Sequence, residues 1–385
     1  MSGPLLTKGF EVEMFTGRRD GTVVGCAAEV SRTLEGFVTE PDNRNLEYIT
    51  PPDADYQRQL GFLLAPRQQL RRWLAERDLT LLPGSTLSLG DSQRFERSNP
   101  DSEYHGAIEQ LYGTRVVTAS VHINLGLRAM EPLFAGLRLL RCEGALLLAL
   151  SASSPFLDGE VTGAESQRWL QFPLTPPQVP LFLSHAHYVA WMHEQLALGS
   201  MLNVRHLWTS VRPNGDRRPE SLNRVELRIC DLIADPLVLL AVTAWAELRL
   251  LSLLGDPARF DPLEASALTP EELAKLADQN DMAVAKDGLE ATVQHWRTGD
   301  PVLARTWLAD ELDAMAPLAE RLGLRSILEP LTRVLAEGSE SIRWRKRQCA
   351  GEPIARILAT EAMAMEARDA ALWEQLTTDH VHSLG

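Results

Sequence analysis

Two glutamates, Glu11 and Glu13, alternate with Phe10, Val12 and Met14 near the start of the chain. Successive side chains of a strand point to opposite faces, so both carboxylates share one face and the apolar residues take the other. Three later stretches repeat this design. Asn45 and Glu47 alternate with Leu46 and Tyr48, and Ser120, His122 and Asn124 alternate with Val121 and Ile123. Arg224, Glu226 and Arg228 alternate with Val225 and Leu227. Taken singly, each set also fits the wet face of an amphipathic strand, His122 fits a structural histidine, and the Arg–Glu–Arg set fits a surface ion-pair ladder of little energetic weight.

Taken together the sets point to chemistry. A merely solvated sheet face draws heavily on Thr, Ser, Lys and Gln, whereas these strands carry Glu, His, Asn and Arg. Converged carboxylates repel one another unless a cation lies between them, and hard oxygen donors suit Mg²⁺, which keeps water and phosphate in its shell. Arginines interleaved with the acids can grip phosphate oxygens through forked hydrogen bonds. The combination is that of a Mg²⁺–nucleotide site on an antiparallel sheet. No GxxxxGK[ST] or GxGxxG sequence occurs, so neither a P-loop nor a Rossmann site is supported. His185, His187 and His193 carry no zinc signature: on a helix the first two point about 200° apart, and no HExxH pattern accompanies them. Ser153-Ser154 and Ser85-Thr86 lack a nucleophile-elbow context. The Arg343–Arg347 run reads as a solvated helix face, and Trp191, Trp245 and Trp296 read as core.

The elements that must position these residues are legible in outline. Strands are predicted over Gly9–Phe15, Arg44–Thr50, Ser85–Leu89, Arg115–Leu127, Asn203–Val211 and Arg224–Cys230. Helices are predicted over Leu60–Glu76, Leu133–Leu150 and Ser184–Leu198. From Asp235 onward the pattern turns helical: Asp235 can cap, Pro236 suits the first helical position, and Gly255 stands where a C-terminal glycine belongs. Thr269-Pro270-Glu271-Glu272 has capping-box spacing. Glu320–Ala336, closing at Glu337-Gly338, and Pro353–Leu376 read as long helices. Strands that do not alternate regularly with helices favour an α+β fold, with 1–385 as one catalytic domain, sheet-rich over 1–233 and mainly helical over 234–385.

Composition narrows the partners. The chain has 385 residues, 45% hydrophobic and 23% charged, with a formal net charge of −14. That balance is ordinary for a globular protein and lacks the basic footprint of a nucleic-acid binder. Only Lys8, Lys275, Lys286 and Lys346 are lysines, so arginine supplies nearly all the positive charge. No secretory signal is visible, and Pro236–Leu254, interrupted by Glu247 and Arg249, reads as a buried helix and not a membrane span. Cys26, Cys142, Cys230 and Cys349 lack CxxC spacing and read as reduced thiols of a cytoplasmic protein.

Five stretches resemble one known family: Gly9–Met14, Asn45–Pro52, Leu82–Asp91, Tyr112–Asn124 and Asn223–Arg228. They are similar to the cyanobacterial type of glutamate–cysteine ligase, within the carboxylate–amine ligases related to glutamine synthetase. Asn280, Ala283 and the run from Lys286 to Ala291 extend the likeness more weakly, and it is poor after Asp235. The resemblance implies a curved antiparallel sheet whose concave face holds ATP and two or three Mg²⁺ ions. It implies phosphorylation of the glutamate γ-carboxylate by ATP and attack by the cysteine amine, the first step of glutathione synthesis. Carried over by position, Glu11, Glu13, Glu47, His122 and Glu226 are expected metal ligands, with Glu40 a weaker addition. His122, Asn124 and Arg228 are expected nucleotide contacts. Arg228, Arg212 and Arg168 are expected to act on phosphate or substrate carboxylate, with Arg115 a lesser candidate; each arginine fits a structural salt bridge as well. The motifs serve a ligase with another acid or amine equally, and a non-catalytic binding protein on this fold would be expected to have lost the metal ligands.

Overall fold

The computed structural model describes residues 5–382. Its centre is a seven-stranded sheet with only antiparallel pairings. In chain order its first strands are β1 (Lys8–Gly17), β2 (Phe37–Thr39), β3 (Asn45–Ile49), β4 (Thr80–Leu82) and β5 (Val121–Gly126). A two-residue ribbon, β6 (Phe156–Leu157) with β7 (Glu160–Val161), precedes the last two sheet strands, β8 (Val211–Asn214) and β9 (Arg224–Leu227). The spatial order is β2-β3-β1-β5-β9-β8, with β4 joining the far end of β1. Strand β1 is the hub: it pairs β3 along Glu11–Phe15, β5 along Lys8–Val12 and β4 along Phe15–Gly17.

The apolar half of the alternation does what period two requires. Phe10, Val12, Met14, Leu46, Tyr48, Val121, Ile123, Val225 and Leu227 are all buried in the main core, which also takes in the helices. Helix Met130–Cys142 packs under β8 and β9. Helix Tyr56–Ala75 is fastened by the Tyr48 hydroxyl, which donates to the Leu63 carbonyl at 3.2 Å. Helix Pro236–Gly255 is long and apolar enough to cross a membrane, yet it is mostly buried within the protein. Its two charges are paired inside: Glu247 takes Lys8 Nζ at 2.8 Å and the Tyr56 hydroxyl at 2.6 Å, and Arg249 Nε reaches Glu143 at 2.9 Å. Each buried charge thus avoids the cost of an unpaired ion.

Caps follow the side-chain chemistry of the sequence. Asp235 accepts from Leu237 N, Ser184 opens His185–Ala197, and Thr269 with Glu272 forms the full capping box. Several boundaries differ from expectation for local reasons. Ser85–Leu89 is not a strand: β4 ends before Pro83, and Gly84 (φ 94°) turns the chain. The Arg115–Leu127 prediction starts too early, because Gly113–Val116 is a 3₁₀ turn. In Asn203–Val211, the Asn203 side chain accepts from Arg205 N and winds Val204–His206 into another, so the strand begins only at Val211. Leu133–Leu150 is two helices, Met130–Cys142 and Gly144–Ser151, meeting at Glu143, whose carboxylate receives Arg249 and Trp296 Nε1. Glu320–Ala336 is likewise divided: Ala304–Leu322 closes on left-handed Gly323, and Arg325–Glu337 follows. Gly255 is the last residue of its helix rather than the residue beyond it, and the C-terminal helix runs Ile354–His382.

Candidate active site

The polar half of the alternation forms one face of the sheet, and its register brings the acids, the histidine and the arginines into adjacent rungs. Glu47 stands opposite Glu13 across β3–β1, and Glu11 opposite His122 across β1–β5. Glu226 stands opposite Asn124 across β9–β5 and opposite Arg212 across β9–β8.

Hydrogen bonds stitch these rungs together. His122 Nδ1 lies 2.9 Å from Glu11 Oε2, and its Nε2 lies 3.1 Å from the Ser120 hydroxyl, which donates to Glu13 at 2.8 Å. Asn124 donates to Glu11 at 3.2 Å and accepts from Arg224 at 3.1 Å. Glu226 is fully buried: Arg212 donates to both its oxygens, at 2.8 and 3.0 Å, Asn214 at 2.6 Å and Arg228 at 2.7 Å.

The site is electrically polarised. Burial, reinforced by the charges of Glu40, Glu13 and Glu11, pushes Glu47 up to about 10, and it shares a hydrogen bond with Glu40. Burial also raises Glu40 and Glu13. At the other end the balance reverses: burial opposes charge on Glu226, but Arg212, Arg228 and His122 hold it well below the usual carboxylate range. Glu11 stands between. Burial and the Glu226 charge push it up, and the His122 bond and charge, with Arg228, bring it below its ordinary value. One end therefore crowds buried carboxyl groups, and the other carries guanidinium groups.

A hard divalent cation fits the acidic end. Burial raises Glu13, Glu40 and Glu47 more than His122, Arg168, Arg228 and Arg205 lower them, and all three acids offer oxygen donors. One ligand atom each from Glu11, His122 and Glu226 also lie within 4.8 Å of one another. Glu226 has a competing task, since both its oxygens already accept from arginine.

The expected site residues Glu11, Glu13, Glu47, His122, Asn124, Glu226, Arg212 and Arg228 do come together. Arg168 makes no hydrogen bond to them: its guanidinium is buried, donates to the carbonyls of Ile229 (3.1 Å) and Arg228 (3.0 Å), and lies 3.8 Å from Asp231. Arg115 is exposed and donates to the Tyr112 carbonyl. Glu40 gains weight, because its place just past β2 sets it against Glu47; the spacing upstream of Glu47 was its sole signal. Arg218 gave no signal at all, since it lies in a loop without strand alternation. The discounted groups stay outside: His185 meets the Pro219 carbonyl and His187 accepts from Leu183 N. Trp245 and Trp296 are buried, and Arg345 and Arg347 pair with Glu165, Glu352 and Glu361.

Sheet and helices define a class of protein: an α+β fold built on an antiparallel sheet, the fold also of a solved glutamate–cysteine ligase. The chain aligns over its full length with 94% of a glutamate–cysteine ligase from Francisella tularensis solved with AMP, at a TM-score of 0.73 and 14% identity. It aligns over 95% of its length with a bifunctional glutathione synthetase from Pasteurella multocida, at 0.72 and 15%, spanning about half (53%) of that larger chain. The sequence model of glutamate–cysteine ligase family 2 matches residues 7–360, and the chain belongs to that family. A Salinispora tropica relative named "Putative glutamate--cysteine ligase 2" is 27% identical, across 89% of this chain and 90% of its own. A Micrococcus luteus relative of the same name is 28% identical over 69% of this chain, which spans 66% of that relative's length.

Proposed function

We propose that this chain is an ATP- and Mg²⁺-dependent carboxylate–amine ligase that joins the γ-carboxylate of L-glutamate to the amino group of L-cysteine. The product is γ-glutamylcysteine, the first step of glutathione synthesis. The observation that carries the reading is the polarity of one sheet face. Glu13, Glu40 and Glu47 crowd carboxyl groups that burial keeps from ionising at one end, while Arg212 and Arg228 flank the other. Family membership and the AMP held by the Francisella tularensis protein support it.

In the reaction, the γ-phosphoryl group of ATP passes to a glutamate γ-carboxylate oxygen and ADP leaves. The amine nitrogen then bonds the acyl carbon, the bond to phosphate breaks, phosphate departs and the nitrogen loses a proton. Bound Mg²⁺ supplies charge neutralisation for the phosphate oxygens. The protein's part is positioning. Glu226 fixes Arg228 so that its remaining donors face phosphoryl oxygens, and Arg168 holds the Arg228 backbone. Arg212 directs its donors to Glu226 and to backbone carbonyls inside the protein, which makes it a positioning residue. Asn124 and His122 would contact the nucleotide, and Glu11, Glu13, Glu40 and Glu47, with Glu226, would hold the cation. Substrates are small molecules and the proposed compartment is the cytoplasm.

The test is ATP-dependent phosphate release from purified protein with L-glutamate and a panel of amines. Stimulation by L-cysteine is expected. If another amine stimulates and cysteine does not, the cysteine assignment is wrong while the ligase class stands.

A further inference from the structure

The arginines flanking Glu226 differ in what they have left to offer. Arg212 gives its donors to Glu226 and to the carbonyls of Arg205 and Leu207. Arg168 gives two to backbone carbonyls and keeps only its Nε without a partner, and Arg228 turns one nitrogen to Glu226 and His122. Arg218 gives none: it makes no ion pair among the described residues, and its Nη1 is buried without a hydrogen-bond partner. A buried guanidinium nitrogen with no acceptor is costly, and here no other donor of the same group is used either, so the whole guanidinium is open to an incoming acceptor.

The loop that carries Arg218 is fastened, so the group is presented and does not wander. It joins β8 to β9 and begins at Gly215, whose N–H meets the Asn214 side chain at 2.7 Å. A Cβ on Gly215 would collide with the Ser221 carbonyl, so the two arms of the loop touch. Ser221 N donates to the Arg217 carbonyl at 2.8 Å, and the Pro219 carbonyl meets His185 Nε2 at 3.0 Å. Arg218 lies within electrostatic range of Glu226, Tyr188, Arg228 and Arg205. The loop springs from the paired ends of β8 and β9, the strands of Arg212 and Glu226, and so sets Arg218 at the basic end of the sheet.

We propose that Arg218 recognises the α-carboxylate of an amino-acid substrate at the arginine end of the sheet. A planar guanidinium with free donors matches a carboxylate in fork geometry. The substrate class rests on the ligase reading; recognition of a carboxylate does not. Donor and acceptor amino acids both carry this group, so the experiment separates them.

Equilibrium binding to the intact protein with Mg²⁺ and ADP is measured by calorimetry for two ligand pairs. L-Glutamate is compared with 4-aminobutyrate, and L-cysteine with cysteamine, the second of each pair lacking only the α-carboxylate. Wild type is expected to prefer the carboxylated member of at least one pair by about tenfold or more, the scale of a charge-assisted bond. Arg218→Gln should erase that preference with an unchanged melting temperature, and the pair affected names the source. Arg218→Lys, keeping charge but not the fork, should retain part of it and carries the test should the glutamine variant not fold. No preference in wild type, or a preference intact in a folded Arg218→Gln, overturns the assignment. A preference lost in the variant, in a protein that releases no phosphate with any amine, would sustain Arg218 and remove the ligase reading instead.

Discussion

Glu47 and Glu13 face each other directly across the β3–β1 ladder, two acids where a sheet normally avoids like charges. Glu40 adds a third carboxyl through its hydrogen bond to Glu47. Such an arrangement costs stability in the empty protein and becomes favourable when a cation enters. Glu47→Gln should therefore leave the melting temperature without Mg²⁺ equal or higher. It should also raise the Mg²⁺ concentration for half-maximal activity about tenfold, the scale of losing one charge-assisted contact. A melting curve and a Mg²⁺ titration of phosphate release check both halves.

Glu13→Gln removes the carboxylate that Ser120 orients on the central strand. Turnover should fall by about 100-fold or more, in keeping with loss of electrostatic stabilisation in a site of this kind. Near-normal kcat in a folded variant would show that this face is a solvated surface.

Glu226→Gln should behave differently from Glu13→Gln. Glu226 is wholly buried and neutralises Arg212 and Arg228 together, so the amide leaves two guanidinium groups without their counter-ion. Loss of about 3–5 kcal/mol of stability is expected along with activity, by analogy with broken buried pairs. Urea unfolding reads it directly. A stable, inactive Glu226→Gln would instead favour a metal-ligand role over an arginine-organising one.

Lys8→Met tests the fastening of the hub strand. Lys8 and Glu247 are both fully buried, and removing the ammonium strands a carboxylate under β1. Destabilisation of about 3–5 kcal/mol is expected. Lys8→Met with Glu247→Leu should recover much of it, and a double-mutant cycle by chemical unfolding measures the recovery.

Stability should also fall with rising pH on account of Asp281, in helix Pro270–Asp287. Burial pushes its carboxyl up to about 8, against the opposing charge of Arg141, and its Oδ1 has no partner. The folded protein then holds a proton that the unfolded chain releases near its ordinary carboxylate range, about 4. That contribution is fully present below about pH 4 and is lost as pH rises through about 8. Asp281→Asn should flatten the decline, with its advantage over wild type growing between about pH 5 and 9 in urea unfolding.

What the amino-acid order determined by itself was local. Period-two alternation placed Glu11, Glu13, Glu47, His122, Asn124 and Glu226 on strand faces, because a strand's geometry leaves no other choice. Capping chemistry at Ser184, Asp235 and Thr269 set helix starts for a similar reason: orphan N–H groups need an acceptor within three residues. Boundaries went astray where a short-range signal competed, as at Pro83 and Gly84, at Asn203, and at Glu143 between two apolar helices. Register is the part that only tertiary structure decided. Nothing in a single strand says that Glu47 meets Glu13 or that Glu226 meets Arg212, because that pairing follows from how the strands dock. The same holds for Arg168 and Arg212, whose donors turn inward, and for Arg218, whose guanidinium meets no acceptor among the described residues. Whether an arginine is a strut or a binding group depends on which acceptors the fold brings to it, and acceptors from distant segments carry no mark in the local sequence.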